Sequence, residues 1–451
     1  MEKDTIVANA TPLIPSAVGI VRISGEKALE IGRKLFSLPE KIEERKAYFG
    51  KIKDREGSII DEGILIYFKA PKSFTGEDVV EIYPHGSVPV IKKILEEAVY
   101  LGARFAQPGE FTKRAFLNGK IDLTQAEAIA ELIEAKTEAA SKAAVNLLEG
   151  KLSKKVNRLK EKLLNLEAVI EAELNFPEDV EEIPIEEIKK NIQDVIKQIK
   201  DLMKTYKKGQ ILREGIKLAI VGKPNVGKSS LFNALVGYER AIVSHYRGTT
   251  RDFIEETVSI KGIPVKLLDT AGIRETEDEI ERIGIEKALE KIEEADIVLF
   301  VFDASEGLTE EDISIFEKIK DKNPIVVGNK KDLIKSDLDK TGKIHYFRDI
   351  IFVSSKTQEN IPLLEEKIFQ KLGLIEDTEQ EIFINLRQFN KLSRAKEILE
   401  NLLENIDYYD LQREILMLDI REAEKNLEEI TGEISTEDIL GNIFSKFCIG
   451  K

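Results

Sequence analysis

The stretch GKPNVGKS at residues 222–229 decides the fold of the middle of this chain. It follows the apolar run Ile216–Val221, typical of a buried strand, and continues into SLFNAL, typical of an opening helix. Glycines in such a turn let backbone N–H groups point inward, and the helix N-terminus adds partial positive charge. The context predicts a P-loop, in which Lys228 reaches the β- and γ-phosphates and Ser229 supplies a Mg²⁺ ligand. A chance glycine-rich turn is the alternative.

Further motifs follow in the order expected of a guanine-nucleotide site. DTAG at residues 269–272 ends a strand, so Asp269 would hold Mg²⁺ through water and the Gly272 N–H would sense the γ-phosphate. In NKKD at residues 329–332, the Asp332 carboxylate would accept both guanine N–H groups, whereas adenine would place a lone pair against it. SSK at residues 354–356 would close the base pocket. The motifs together predict GTP binding and hydrolysis.

Two positions concern the reaction itself. Within RGTTRD at residues 247–252, Thr250 is the predicted switch threonine on Mg²⁺, although the loop could be merely solvated. Small GTPases that use glutamine to orient water place it directly after Asp-x-x-Gly, but this chain has Ile273 there. Another residue must therefore orient the water, and the acidic segment 274–282 is the nearest supply; a merely solvated face is the alternative for this segment.

Periodicity predicts three kinds of domain in the 451 residues. Apolar strands alternate with amphipathic helices in the middle segment, which predicts an α/β domain with a mostly parallel sheet. The first part mixes strands and helices, and two other segments are helical, the first opened by a capping box at Thr124–Glu127. Strands are predicted at Ile20–Ile23, Ile64–Phe68, Val79–Tyr83, Ile216–Val221, Val265–Leu268, Ile297–Phe302, Ile325–Val327 and Ile350–Val353.

The two helical segments carry apolar stripes that need a partner. One stripe runs from Leu152 to Leu174 and ends at Asn175, a second helix covers about Ile185–Tyr206, and the last stripe runs from Leu392 to Ile406. We expect the segments to pack together with the G domain inserted between them; two separate helical domains are the alternative. The predicted domains are residues 1–118 (N-terminal α+β), 119–212 (helical, first part), 213–375 (G domain) and 376–451 (helical, second part).

Composition excludes several classes of protein. A net charge of −15 argues against a generally basic, nucleic-acid-coating protein. Cys448 is the one cysteine and there are three histidines, so a disulfide framework and a His- or Cys-built zinc site are not expected. No apolar run approaches the ~20 residues of a membrane helix, and no signal peptide is recognised, so we expect no membrane association and a cytoplasmic location.

Motifs along the whole chain resemble the MnmE (TrmE) family of tRNA-modification GTPases. The segments that carry the resemblance are DTIVA (4–8), VGIVRISG (18–25), SFTGEDVVE (73–81), PGEFTKRAFLNGK (108–120), DLTQAEA (122–128), GTTRD (248–252), ERIGIE (281–286) and CIGK (448–451). The resemblance implies an N-terminal domain that binds a one-carbon tetrahydrofolate and pairs two chains into a homodimer. By position, its pocket would be lined by Arg22, Glu81, Lys120 and Lys451.

The resemblance also implies a K⁺ ion in the place of an arginine finger, at dimerised G domains. Its ligands would be Asn225, Ser244, Tyr246 and Thr249. Glu281 matches the acid that positions water, so the implied catalytic residues are Glu281, Lys228, Thr250 and Cys448. The full predicted GTP site is Asn225, Val226, Gly227, Lys228, Ser229, Ser230, Ser244, Tyr246, Thr249, Thr250, Asp269, Thr270, Ala271, Gly272, Asn329, Lys330, Asp332, Ser354, Ser355 and Lys356.

In such a protein, GTP hydrolysis accompanies wobble-uridine modification of tRNA. The implied partner is an MnmG-like FAD flavoprotein, and the group added at C5 is aminomethyl or carboxymethylaminomethyl. Cys448 could equally be a small buried apolar residue. The basic patch of residues 151–160 would contact tRNA phosphates or, on the favoured interpretation, form a solvated helix face. The alternative functions are a GTP-regulated RNA- or ribosome-assembly switch and a regulatory switch without chemistry.

Overall fold

The computed structural model describes residues 4–236, 257–268, 292–334, 346–347, 349–373, 382–409 and 412–451. Its strands are β1 Thr5–Asn9, β2 Val21–Ser24, β3 Ala47–Lys53, β4 Ile59–Phe68, β5 Val79–Tyr83, β6 Ala103–Phe105, β7 Ile216–Val221, β8 Thr257–Ile260, β9 Ile263–Leu268, β10 Ile297–Asp303, β11 Ile325–Asn329 and β12 Ile350–Phe352. Its helices are α1 Ala28–Leu35, α2 Val88–Tyr100, α3 Glu110–Leu117, α4 Leu123–Glu134, α5 Glu138–Leu148, α6 Lys151–Asn175, α7 Ile185–Glu214, α8 Lys228–Val236, α9 Glu310–Ile319, α10 Ile361–Leu372, α11 Leu386–Glu404, α12 Ile406–Tyr409, α13 Arg413–Thr431 and α14 Glu437–Phe444.

Internal contacts divide the chain into two compact units. One unit comprises Met1–Ala130, Leu147–Gln198 and Asn390–Lys451, and the other comprises Glu131–Asn146 and Ile199–Phe389. The first contains the N-terminal sheet and most of the helical segments, and the second contains the P-loop domain. The domain boundaries at residues 118, 212 and 375 stay a prediction. No helix in the described ranges combines the length and apolar character that crossing a bilayer requires.

The N-terminal sheet has the strand order β3-β4-β5-β2-β1-β6, antiparallel except for the β1–β6 pair. Alternate residues of each strand point to one face, where α1 and α2 complete the core. Val21, Ile23, Val80 and Ile82 lie in that core, so Arg22 and Glu81 point to the opposite face. The sheet thereby brings two of the predicted pocket residues side by side.

The predicted packing of the two helical segments is confirmed by α6 and α13. The apolar stripe of α6 is buried through Ile170, and α13 contributes Leu416, Ile420, Ala423, Leu427 and Ile430. Leu174, predicted as the end of the stripe, is 37% exposed, because α6 ends at the next residue.

The predicted capping box at Thr124 is wrong. Asp122 caps α4 instead, accepting from the Gln125 N–H at 2.9 Å while its own N–H donates to the Gln125 side chain at 3.0 Å.

The P-loop domain has a six-stranded sheet in the order β12-β11-β10-β7-β9-β8, parallel except for the β8–β9 pair. The central strand β10 is buried along its whole length, with apolar side chains filling a core on each face of the sheet. Such a strand reads as a continuous apolar run, which is why it could be predicted. The carboxyl ends of β7, β10 and β11 meet at the edge that carries the predicted nucleotide site.

The chain enters and leaves this domain at neighbouring points. The guanidinium of Arg213, at the end of α7, donates to the Ile384 carbonyl at 2.8 Å. A Cβ on Gly209 would lie 2.8 Å from Cβ of Phe383. Adjacent chain ends are the condition for inserting one domain into another. The predicted insertion is therefore confirmed. Helix α7 runs eight residues beyond its expected end at Tyr206, because the contact of Arg213 with Ile384 supports its last turns.

Candidate functional site

The P-loop joins β7 to α8 through a backbone that only certain residues can adopt. Gly222, Asn225 and Gly227 have φ angles of +157°, +64° and +93°. A Cβ on Gly222 would lie 2.0 Å from the Val301 carbonyl oxygen, and one on Gly227 would lie 2.3 Å from the Asn329 side-chain nitrogen. Both glycines are thus required by space as well as by backbone angle.

Lys228 is folded over the inside of this loop. Its Nζ donates to the carbonyl oxygens of Gly222 and Lys223, both at 2.7 Å. Burial lowers the pKa of the Lys228 ammonium. A phosphate that enters the loop would offer this group charged acceptors in place of two carbonyls. Ser229, the predicted Mg²⁺ ligand, is at the next position, at the start of α8.

Asn329 connects the P-loop to the loop after β12. Its side-chain nitrogen donates to the Val226 carbonyl at 2.9 Å and to the Gly227 carbonyl at 3.4 Å. Its side-chain oxygen accepts from the backbone N–H and the hydroxyl of Ser355, at 3.1 and 2.8 Å. Because Asn329 is only 1% exposed, these bonds are shielded from water. The phosphate end and the base end of the predicted site are therefore held together by one side chain.

Asp332 is exposed at the base end. The Ser354 hydroxyl donates to one of its carboxylate oxygens at 2.7 Å and accepts from the Thr357 N–H at 3.1 Å. This bond fixes the carboxylate while leaving acceptor capacity for a purine edge. Lys356, also predicted for this pocket, is exposed in the same loop.

Lys330 has a partner that the motifs did not reveal. Its Nζ lies 2.6 Å from a carboxylate oxygen of Asp303, the last residue of β10. Burial alone would raise the pKa of Asp303, but hydrogen bonds from Lys330 and Ser305 lower it. The position of Asp303 directly after a predicted buried strand was the available signal, because parallel strands end at a shared edge.

Part of the predicted site falls outside the described residues. These positions are Ser244, Tyr246, Thr249, Thr250, Asp269, Thr270, Ala271, Gly272 and Glu281. Their assignment stays a prediction.

A second candidate site lies on the N-terminal sheet. Arg22 Nε lies 2.7 Å from a carboxylate oxygen of Glu81, and its Nη1 donates to the Gly450 carbonyl at 3.2 Å. The Arg22 guanidinium also lies 5.8 Å from the ring centre of Phe74 and 5.6 Å from that of Phe111. The result is a charged pair flanked by two aromatic rings.

The CIGK segment is seated against the same place. The Phe111 N–H donates to the Lys451 carbonyl at 3.2 Å, and the Gly109 N–H donates to the Cys448 carbonyl at 3.4 Å. Burial and the nearby Arg22 charge lower the pKa of the Lys451 ammonium. Cys448 is free and exposed, so its interpretation as a small buried apolar residue is wrong. Its predicted catalytic role is untested.

Three of the four residues predicted for this pocket come together, namely Arg22, Glu81 and Lys451. The Lys120 ammonium donates instead to the Pro71 carbonyl at 2.9 Å. Tyr83 was missed: its hydroxyl donates to the second Glu81 oxygen, and burial and this bond raise the pKa of Tyr83. Two-residue alternation along β5 could have identified it.

Comparison with known proteins identifies the family. The model described as "GTP-binding protein TrmE N-terminus" matches residues 5–120, and "MnmE helical domain" matches residues 123–448. Relatives named tRNA modification GTPase MnmE are 52% identical over 451 residues in Aquifex aeolicus and 46% identical over 465 residues in Desulforamulus reducens, each covering 100% of both chains.

Solved structures match only part of the chain. A single-residue variant of Aquifex aeolicus Era bound to GDP.AlF4⁻ is 32% identical, with a TM-score of 0.28, covering 41% of this chain and 66% of that one. The G domain of the T. maritima FeoB iron transporter is 29% identical, with a TM-score of 0.27, covering 35% and 98%. These TM-scores are too low to add to the assignment. The full-length relatives and the two family models confirm the predicted resemblance and fold class: the chain belongs to the MnmE family of tRNA modification GTPases and is a GTP hydrolase.

Proposed function

We propose that this GTPase acts in modification of the tRNA wobble uridine, adding an aminomethyl or carboxymethylaminomethyl group at C5. It would work with tRNA and an MnmG-like FAD flavoprotein, which supplies reducing equivalents. The observation that carries the proposal is a second, chemically distinct cluster of charged side chains on the same chain as the P-loop, formed by Arg22, Glu81 and Lys451. A switch that only binds and hydrolyses GTP has no use for such a cluster.

The donor set of this pocket fits a one-carbon tetrahydrofolate. Arg22 and Lys451 supply two cations for the carboxylates of its glutamate tail. Glu81 is an acceptor for the amino and ring N–H groups of the pterin, and Phe74, which is 38% exposed, offers an aromatic face. The folate, when bound, would supply the carbon. Lys120 would reach this pocket only by leaving the Pro71 carbonyl.

In the G domain, Mg²⁺ would be held by Ser229 and Thr250. A K⁺ ion on Asn225, Ser244, Tyr246 and Thr249 would supply positive charge beside the phosphates, and Glu281 would position the water. Asn225 supports this assignment, because it is an exposed residue of the phosphate loop with a positive φ and a side-chain oxygen that a cation could bind. We expect the GTPase rate to be several-fold higher in K⁺ than in Na⁺ at matched ionic strength. Equal rates would remove K⁺ from the mechanism.

A homodimer formed by the N-terminal domain is supported by an apolar face of its sheet. Phe49 on β3 is 73% exposed and lies opposite Ile64 on β4, which is 39% exposed. Ile66 on the same strand lies opposite Glu81 of β5, so this face continues into the charged pocket. A partner that covered the apolar residues would also enclose the pocket.

Titration with a tetrahydrofolate, followed by calorimetry, tests the proposal. We expect saturable binding that Arg22→Met weakens at least about tenfold, since a charged hydrogen-bond donor is lost. Lys34→Met, which removes an exposed ion pair on α1, is the matched control and should bind normally. Absence of folate binding by the wild-type protein would favour the GTP-regulated RNA-assembly switch.

Cys448 calls for a separate experiment, because its exposed thiol lies three residues from Lys451. If the thiol takes part in the modification, Cys448→Ser keeps the GTPase rate and folate affinity and loses uridine modification. A fully active variant in a reconstituted assay with tRNA and the flavoprotein would exclude that role.

A further inference from the structure

Lys223, the second residue of the P-loop, is tied to a helix outside the nucleotide motifs. Its Nζ donates to the Thr309 hydroxyl at 2.8 Å and lies 3.0 Å from a carboxylate oxygen of Asp312. Both partners belong to the N-terminus of α9. The Lys223 side chain is only 13% exposed and the Asp312 side chain is fully buried, so this ion pair is shielded from water.

The anchor on α9 is rigid because Thr309 and Asp312 form a capping box. The Thr309 N–H donates to the Asp312 carboxylate at 2.9 Å, and the Asp312 N–H donates to the Thr309 hydroxyl at 3.4 Å. The other carboxylate oxygen of Asp312 has no hydrogen-bond partner among the described residues. Lys223 is the cation that those residues bring to this buried charge, so removing it leaves an uncompensated carboxylate.

Among the described residues, three side chains hold the P-loop, and the contacts of one of them change when nucleotide binds. Asn329 holds the Val226 and Gly227 carbonyls, and Lys228 holds those of Gly222 and Lys223. An ammonium has three N–H donors, so when Lys228 contacts the β- and γ-phosphates of a bound nucleotide it can no longer hold both carbonyls. The contact of Lys223 with α9 does not depend on Lys228 and can persist.

We infer that Lys223, anchored by Asp312 and Thr309, is a positioning residue that holds the first half of the P-loop in its phosphate-binding shape once Lys228 engages the nucleotide. Lys223 does not itself need to touch the substrate. The loop begins at a glycine, whose conformational freedom must be removed when nucleotide binds. An anchor that removes it beforehand lowers the cost of binding.

The test is nucleotide dissociation from the full-length protein, measured with fluorescent GDP and GTP analogues. Lys223→Met keeps the aliphatic stem and removes the ammonium, and we expect dissociation about tenfold faster. KM for GTP should rise by a similar factor while kcat changes less, because the water-positioning residues are untouched. Lys223→Arg restores a cation at the anchor and should return both values towards wild type.

Controls separate this role from a general loss of stability. Asp312→Asn keeps an oxygen that can accept from the Thr309 N–H, so it should preserve the cap and reproduce the Lys223→Met defect. The double variant should be no worse than the single ones, since the residues act as a pair. Lys320→Met, in an exposed ion pair just after α9, should dissociate nucleotide normally.

The preference for GDP over inosine diphosphate provides a final readout. It depends on the base and should stay constant while affinity for both nucleotides falls. Wild-type dissociation rates for Lys223→Met would overturn the inference, whatever its melting temperature. A selective loss of guanine preference would overturn it as well, since the defect would then lie at the base.

Discussion

At the scale of single residues, recognition of the base is predicted to depend on the carboxylate of Asp332. The Ser354 hydroxyl holds one of its oxygens, and the group is otherwise exposed. We expect Asp332→Asn to weaken GTP binding by about ten- to a hundredfold and to favour xanthosine triphosphate, because the amide donates where guanine also donates. Competition binding measures this shift. Asp349→Asn, an exposed acid of the same domain, is the control; retained GTP selectivity in Asp332→Asn would refute the assignment.

Replacing Glu281 tests the chemical step of GTP hydrolysis rather than nucleotide binding. The glutamine position after DTAG holds Ile273, which cannot orient water. If Glu281 positions the water, Glu281→Ala keeps nucleotide affinity and loses turnover by about a hundredfold or more. Single-turnover hydrolysis is the measurement, with Glu277→Ala from the same acidic segment as the control. A near-normal kcat would remove Glu281 from the mechanism.

Individual site residues differed in how far the sequence could reveal them. Lys228, Asn329 and Asp332 were found because the P-loop and NKKD motifs have fixed spacing around strand ends. The contact of Asp303 with Lys330 depends on the register between β10 and β11, which a single sequence does not display. Tyr83 lies two residues from Glu81 on β5, so the alternation along that one strand is a signal that the sequence does carry.

At the scale of secondary-structure elements, β5 and β7 were predicted with their observed ends, because each is an apolar run bounded by turn residues. The start of α4 was placed wrongly. Thr124 suits an N-cap by type, but its hydroxyl bonds to Ser153, 29 residues away, and Asp122 takes the cap. The preference of threonine for the N-cap position is overridden there by a tertiary contact, which the periodicity of the sequence cannot show.

The packing of α6 against α13 makes stability depend on pH. Glu424 is 6% exposed. Burial, and then the negative charges of Glu167 and Glu428, raise its pKa to about 7, against a small opposing effect of Lys160. The folded protein therefore holds this proton more tightly than the unfolded chain does, and stability falls as pH rises from about 4.5 to about 7.

Replacing that carboxyl by an amide should remove this pH dependence. We expect Glu424→Gln to be more stable than wild type at pH 8, by up to ~3 kcal/mol, and to match it near pH 5. Urea unfolding at the two pH values measures the difference. Glu422→Gln, an exposed neighbour on α13, should show no such gain. Equal stability of Glu424→Gln and wild type at pH 8 would mean that Glu424 is ionised there at no cost.

At the scale of the whole molecule, the apolar face around Phe49 predicts how two chains associate. We expect Phe49→Asp to weaken a dimer by about a hundredfold or more, because it places a charge where an aromatic anchor would be buried. Light scattering over a concentration series measures the change. Phe105→Asp, at the opposite edge of the same sheet and 56% exposed, is the control. A Phe49→Asp protein that stays dimeric would place the interface elsewhere.

The packing of the CIGK segment against the N-terminal sheet also determines when, during synthesis, the charged pocket can form. Arg22 and the Gly450 carbonyl that it binds are 428 residues apart. A ribosome moving at about 5–20 residues per second needs roughly 20 to 90 s to make the intervening chain. The N-terminal sheet can fold early, but its charged pocket lacks one wall throughout that time. A product that terminates early could keep a working P-loop and would still have no finished pocket.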